Sequence, residues 1–118
     1  MMKRVLIVDD AMFMRLSIKT MLQKNGYEVV GEAADGNQAV TQFQTLQPDI
    51  VTMDITMPNS DGVTALKQIK AIDQNATVLM ITALGHENSV REAIMAGAKG
   101  FVVKPFEEAT LVKALAKL

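Results

Sequence analysis

Four apolar runs in this chain each end on a residue able to do chemistry. Val5 to Val8 runs into Asp9-Asp10, Ile50, Val51 and Met53 lead to Asp54, Val78 to Ile81 leads to Thr82, and Phe101 to Val103 leads to Lys104. Three carboxylates brought together repel one another, and two unit charges about 4 Å apart cost roughly 4 kcal/mol at an effective dielectric of 20. Without compensation, carboxyl pKa values rise. A divalent cation is the natural compensation, and oxygen ligands without sulfur or imidazole select a hard ion, Mg²⁺ or Mn²⁺. Lys104 adds a compact positive charge suited to a phosphoryl oxygen, and Thr82 adds a hydroxyl. A carboxylate nucleophile, a cation, an ammonium and a hydroxyl donor are the parts needed to receive a phosphoryl group, a transfer that depends on positioning and charge stabilisation.

These groups need elements to hold them. The apolar runs do not alternate, which is the pattern of strands buried on both faces of a parallel sheet. Amphipathic stripes lie between them. Met14, Ile18, Met21 and Leu22 recur at helical spacing, with Arg15, Lys19 and Gln23 between them and Asn25-Gly26 as a stop. Glu28 to Glu32 reads as a weaker strand nearer the sheet edge. Asp35 reads as the N-cap of a helix carrying Ala39, Val40, Phe43 and Leu46, which ends at Gln47-Pro48. The breakers and turn formers Pro58 to Gly62 follow Asp54. Further stripes run through Val63, Leu66, Ile69 and Ile72, through Val90, Ala93 and Ile94 up to Gly97, and through Leu111, Val112, Leu115 and Leu118. Five strand–helix repeats predict an α/β fold, a doubly wound five-stranded parallel sheet with helices on both faces. Ligands of such sheets bind at the carboxyl ends of the strands, so the four polar termini are expected on one rim. Glu32, ending the second strand, is set aside as an edge residue.

Composition narrows the classes. The 118 residues are one domain's worth, with 49% hydrophobic and 21% charged residues. A formal net charge of −1 and the lack of a basic block argue against nucleic acid or an acidic membrane as the main partner. Cysteine is absent and His86 is the single histidine, which excludes thiol chemistry, zinc-thiolate sites and any multi-histidine metal site. No run approaches the ~20 apolar residues that span a bilayer, and MMKRVLIVDD turns acidic too soon for a signal peptide. A cytoplasmic location is the simplest expectation. Of the nine methionines, most are expected to fill core space.

Each candidate also has a plainer reading. Asp9-Asp10 could cap the next helix, Thr82 could simply suit a strand, Lys104 could be a solvated loop lysine, and Phe101 could be core. His86, beside Gly85 in a loop, reads as a solvated residue or a helix-start contact rather than a catalytic base. Met12 and Phe13 could face a partner or pack on neighbouring loops. The ordered set of strand ends outweighs the single readings.

The ordered motifs carry a resemblance. VDD at Val8 to Asp10, MDITMP at Met53 to Pro58 with Asp61-Gly62, TA at Thr82-Ala83, AGAKGF at Ala96 to Phe101 and KPF at Lys104 to Phe106 span essentially the whole chain. Together they resemble the receiver domain of two-component response regulators, most closely its single-domain chemotaxis members. The resemblance implies a flavodoxin-like fold of strand order 2-1-3-4-5 over residues 1–118. It implies that Asp54 accepts the phosphoryl group and that Asp10, Asp54 and the backbone carbonyl of Thr56 ligate Mg²⁺, with Asp9 acting through water. Lys104 would pair first with Asp54 and then with the phosphoryl group. Thr82 and Phe101 would move inward as the switch, Ala83 would keep the approach open, and the Lys104-Pro105 bond would be cis. The implied partners are a sensor histidine kinase and an output protein such as the flagellar motor switch, bound on the face of the fourth helix, fifth strand and fifth helix.

Two details differ from many chemotaxis receivers. Phe101 replaces a tyrosine and lacks its hydroxyl. Leu84 is apolar and cannot orient water, so slow loss of the phosphoryl group is expected. The resemblance describes a signalling switch whose only catalysis is its own phosphorylation and dephosphorylation. A receiver excised from a longer regulator is the nearest alternative, since the last apolar stripe runs to Leu118. A Mg²⁺-dependent phosphohydrolase with an aspartyl-phosphate intermediate would usually carry an acid where Thr56 stands. A flavodoxin-like electron carrier would need a phosphate loop where Asp9-Asp10-Ala11-Met12 stands.

Overall fold

A computed structural model of the chain describes residues 2–57 and 61–118. The expected turn formers Pro58, Asn59 and Ser60 lie outside the described residues. Strands β1 (Arg4–Val8), β2 (Glu28–Ala33), β3 (Ile50–Asp54), β4 (Val78–Ala83) and β5 (Gly100–Lys104) alternate with helices α1 (Met12–Lys24), α2 (Gly36–Leu46), α3 (Gly62–Ile72), α4 (Glu87–Met95) and α5 (Glu108–Ala116). All strand pairs are parallel, in the order β2-β1-β3-β4-β5. The fold is the expected doubly wound, flavodoxin-like α/β sheet.

The period of two along each strand splits the core between the faces. Val5, Ile7, Ile50, Leu79, Ile81 and Val102 pack on Ile18 and Leu22 of α1 and on Leu111 and Leu115 of α5. Leu6, Val8, Val51, Met53, Val78 and Met80 pack on α2, α3 and α4 through residues such as Phe43, Leu66, Ile69 and Ala93. Both faces are covered, which is why the strands read as unbroken apolar runs. Each large aliphatic side chain buried here contributes about 1.5–3 kcal/mol relative to exposure.

Helix boundaries follow local chemistry. Asp35 caps α2 by accepting from the Gln38 amide at 2.8 Å, and Asp61 caps α3 by accepting from Thr64 at 2.8 Å. Asn25 closes α1, and Gly26 follows at a φ of 86° that favours glycine. Gln47 closes α2 in the left-handed region, directly before Pro48. Ile72 and Ile94, expected on buried stripes, are exposed in the last turns of α3 and α4. Leu118 lies past the end of α5 but still packs against the α1/α5 core. Met53, Met57 and Met80 are buried as expected, whereas Met2, Met12 and Met95 are exposed. Among the described residues, no helix is long and apolar enough to cross a membrane.

Candidate functional site

The parallel sheet brings the ends of β1, β3, β4 and β5 to one rim. Asp9 and Asp10 follow β1, and Asp54 is the last residue of β3. Each of the three offers a carboxylate oxygen, and these oxygens lie within 4.8 Å of one another. Asp9 and Asp54 are buried, and Asp10 is exposed. Both oxygens of Asp9 already have partners: Oδ1 accepts from the Ala11 amide at 2.9 Å and Oδ2 from Lys104 Nζ at 2.9 Å. Asp10 and Asp54 are therefore the freer ligands.

Lys104, the last residue of β5, lies in register with Ala83 of β4. From there its side chain reaches past β4 to the far carboxylates. Its Nζ stands 3.4 Å from Asp54 Oδ1, farther than from Asp9. The lysine therefore bridges two acids and leans toward Asp9, whereas the resemblance pairs it first with Asp54.

The electrostatics follow from this packing. Burial is the main cause that pushes the Asp54 carboxyl up from its usual 3.8 to about 6; Asp9 and Asp10 add repulsion, and Lys104 pulls the other way. For Lys104, burial alone would lower the pKa. The hydrogen bond to Asp9 and the charges of both acids outweigh that and raise it. One ammonium thus leaves three gathered carboxylates undercompensated. An all-oxygen set with two buried members and no imidazole or thiolate fits a hard divalent cation.

Gly62 fixes the back of the site. Its amide donates to the Ile55 carbonyl at 2.7 Å. A Cβ at this position would stand 2.0 Å from the Asp54 carbonyl oxygen, so only glycine lets α3 begin against the backbone of that acid. Thr56, two residues past Asp54, is exposed and lines a neighbouring hollow of about 200 Å³ with Asp61 and His86.

Thr82 is buried at the end of β4, and its hydroxyl donates to the Ala83 carbonyl at 3.2 Å. Among the described residues no hydrogen bond joins it to the acids. It lines a largely apolar groove of about 140 Å³ with Ala83, Leu84, Val90 and Phe101. Phe101 is 48% exposed. It is not core, because β5 is an edge strand and this residue sits on the rim of the groove. Leu84 is 80% exposed. The Lys104-Pro105 bond is cis. A larger hollow of about 460 Å³ lies away from the rim, between the ends of α2 and α3 at Gln47, Pro48 and Ile72, and gathers no comparable set of groups.

Two residues at this rim were not legible as a pair. Arg15 reads as a solvent-facing helix residue and Glu32 as an edge residue, yet Arg15 Nε donates to Glu32 Oε1 at 3.1 Å and Arg15 Nη1 donates to the Asp9 carbonyl at 2.6 Å. Their opposite charges and nearness to strand ends were the only signal.

Comparison with known proteins agrees with this geometry. Residues 5–116 match the response regulator receiver domain family. The chain is 55% identical over 117 residues to the chemotaxis protein CheY of Bacillus subtilis, covering 99% of this chain and 98% of that one. It is 54% identical over 116 residues to the chemotaxis protein CheY of Thermotoga maritima, covering 98% and 97%. Among solved structures, the CheX-CheY-BeF3-Mg²⁺ complex from Borrelia burgdorferi superposes with a TM-score of 0.92 at 41% identity, covering 96% of this chain and 86% of that one. With the sheet, the acidic rim and these relatives in agreement, the chain belongs to the response regulator receiver domain family.

Proposed function

We propose that this receiver is a phosphorylation-operated switch of a two-component chemotaxis system, with Asp54 as the phosphoryl acceptor. The observation that carries the reading is the convergence of Asp9, Asp10 and Asp54 on one point with the Lys104 ammonium between two of them. The donor is a sensor histidine kinase. A carboxylate oxygen of Asp54 attacks phosphorus, the bond from phosphorus to the histidine nitrogen breaks, and the histidine keeps that electron pair. Lys104 lies within reach of Asp54 and neutralises charge on the transferred group. Asp10, Asp54 and the Thr56 backbone carbonyl would hold Mg²⁺, with Asp9 behind them. When bound, the ion offsets the carboxylates and the incoming phosphoryl charge. The Borrelia relative, whose structure is a complex with BeF3 and Mg²⁺, supports a Mg²⁺ site in this chain.

The new charge draws the Thr82 hydroxyl toward the phosphoryl group. Phe101 follows into the groove it now borders, which changes the face made by α4, β5 and α5. That is a two-state element biased by a local electrostatic event. The output is a partner protein in the cytoplasm, such as the flagellar motor switch. The acceptor chemistry belongs to a switch and not to turnover of added phosphate esters.

The test is incubation with acetyl phosphate, with and without Mg²⁺, followed by intact mass measurement. One phosphoryl adduct that needs both Mg²⁺ and Asp54 is expected, and Asp54→Asn removes it. An equal adduct on Asp54→Asn, or neither adduct nor phosphate release on the unaltered chain, would overturn the reading.

A further inference from the structure

Asp10 is the exposed member of the acidic triad, so its backbone largely decides where its carboxylate stands. The peptide that joins it to Asp9 is held from outside the rim. Arg15, near the start of α1, donates from Nη1 to the Asp9 carbonyl at 2.6 Å, and its Nε donates to Glu32 at 3.1 Å. Only 15% of the Arg15 side chain is exposed. Glu32 is anchored in turn: its carbonyl accepts from Gln42 Nε2 at 2.6 Å, and Lys19 Nζ stands 3.8 Å from its second carboxylate oxygen. The Asp9 amide donates to the Ala33 carbonyl at 3.0 Å. The end of β2 therefore grips Asp9 twice, directly through Ala33 and indirectly through Glu32 and Arg15.

We infer that Arg15, anchored by Glu32, is a positioning residue that fixes the Asp9-Asp10 peptide and so presents the Asp10 carboxylate to the divalent cation. The inference rests on the reading of the acidic triad as a metal site. A planar guanidinium can serve two acceptors at a set angle, which a lysine ammonium on a flexible stem does not reproduce. The sign of the effect separates positioning from charge. A cation beside a divalent site repels the ion, so if charge alone mattered, removing Arg15 would tighten binding. Positioning requires the opposite.

The experiment is titration of the metal-free full chain with Mg²⁺, followed by calorimetry or by the Asp10 amide resonance. Arg15→Gln and Arg15→Lys are each expected to weaken binding roughly tenfold, equivalent to about 1.4 kcal/mol and comparable with ordering one backbone residue. In an Asp10→Asn background Arg15→Gln should cause no further loss, because the residue acts through Asp10. Circular dichroism at the titration temperature checks folding, and Arg15→Lys carries the comparison where Arg15→Gln does not fold. Tighter binding in Arg15→Gln, unchanged binding in Arg15→Lys, or a full additional loss in the Asp10→Asn background would overturn the inference. Failure of the unaltered chain to bind Mg²⁺ would overturn the metal reading itself, whereas binding that ignores Arg15 overturns only the role given to Arg15.

Discussion

Asp54 sits in a site that resists its charge. Its folded pKa of about 6 lies above the usual 3.8, so the fold binds that proton more tightly than the unfolded chain does. The favourable contribution of that proton is complete below about 3.8 and is lost as pH rises through about 6. At about 1.4 kcal/mol per pKa unit, the metal-free protein gives up on the order of 3 kcal/mol across that window. Asp54→Asn should therefore melt at a higher temperature than the unaltered chain at pH 7.5 without divalent ions, with the gap shrinking toward pH 4. Parallel melts across that range with the two proteins check this, and a gap independent of pH would contradict it. The acids and Lys104 were legible in the sequence because each terminates an apolar run. Arg15 was not, because helical periodicity assigns it a polar face without saying that the face meets the end of β2.

At the scale of elements, the loop after β4 controls what can reach the rim. Ala83 at the end of β4 and Leu84 just after it are both exposed, and the Leu84 side chain offers no hydrogen-bonding group to a hydrolytic water. Leu84→Glu should shorten the life of the phosphoryl group severalfold, because a carboxylate at that place can orient water. Phosphate release after removal of acetyl phosphate measures it; an unchanged lifetime would place hydrolysis under other control. The strand and helix types were readable from apolar runs and stripes. Strand order was not, because five buried strands of similar apolarity contain no pairing code, and the resemblance supplied it. Phe101 shows the same limit: an apolar residue in a strand reads as core until the strand is known to be an edge.

Across the whole molecule, the order β2-β1-β3-β4-β5 gives β1, β3 and β4 partners on both sides and leaves β2 and β5 at the edges. Amides of β1, β3 and β4 should exchange hydrogen only through global unfolding, and those of β2 and β5 through smaller openings as well. Mg²⁺ at a hundred times its dissociation constant should then slow exchange in β1, β3 and β4 about a hundredfold, with less effect at the edges. Hydrogen-exchange mass spectrometry reads both. The acidic rim thus becomes a handle on the stability of the entire sheet. The close approach at Gly62 has a consequence of another kind. In a library of every single substitution selected for phosphoryl acceptance, position 62 should be nearly empty, since even one methyl group would strike the Asp54 carbonyl. Thr56, exposed and only two residues past the acid, should accept many residue types. The reachable variants of this switch are then those that retune the lifetime of its signal, because the geometry of the acceptor leaves no neighbouring sequence to drift into.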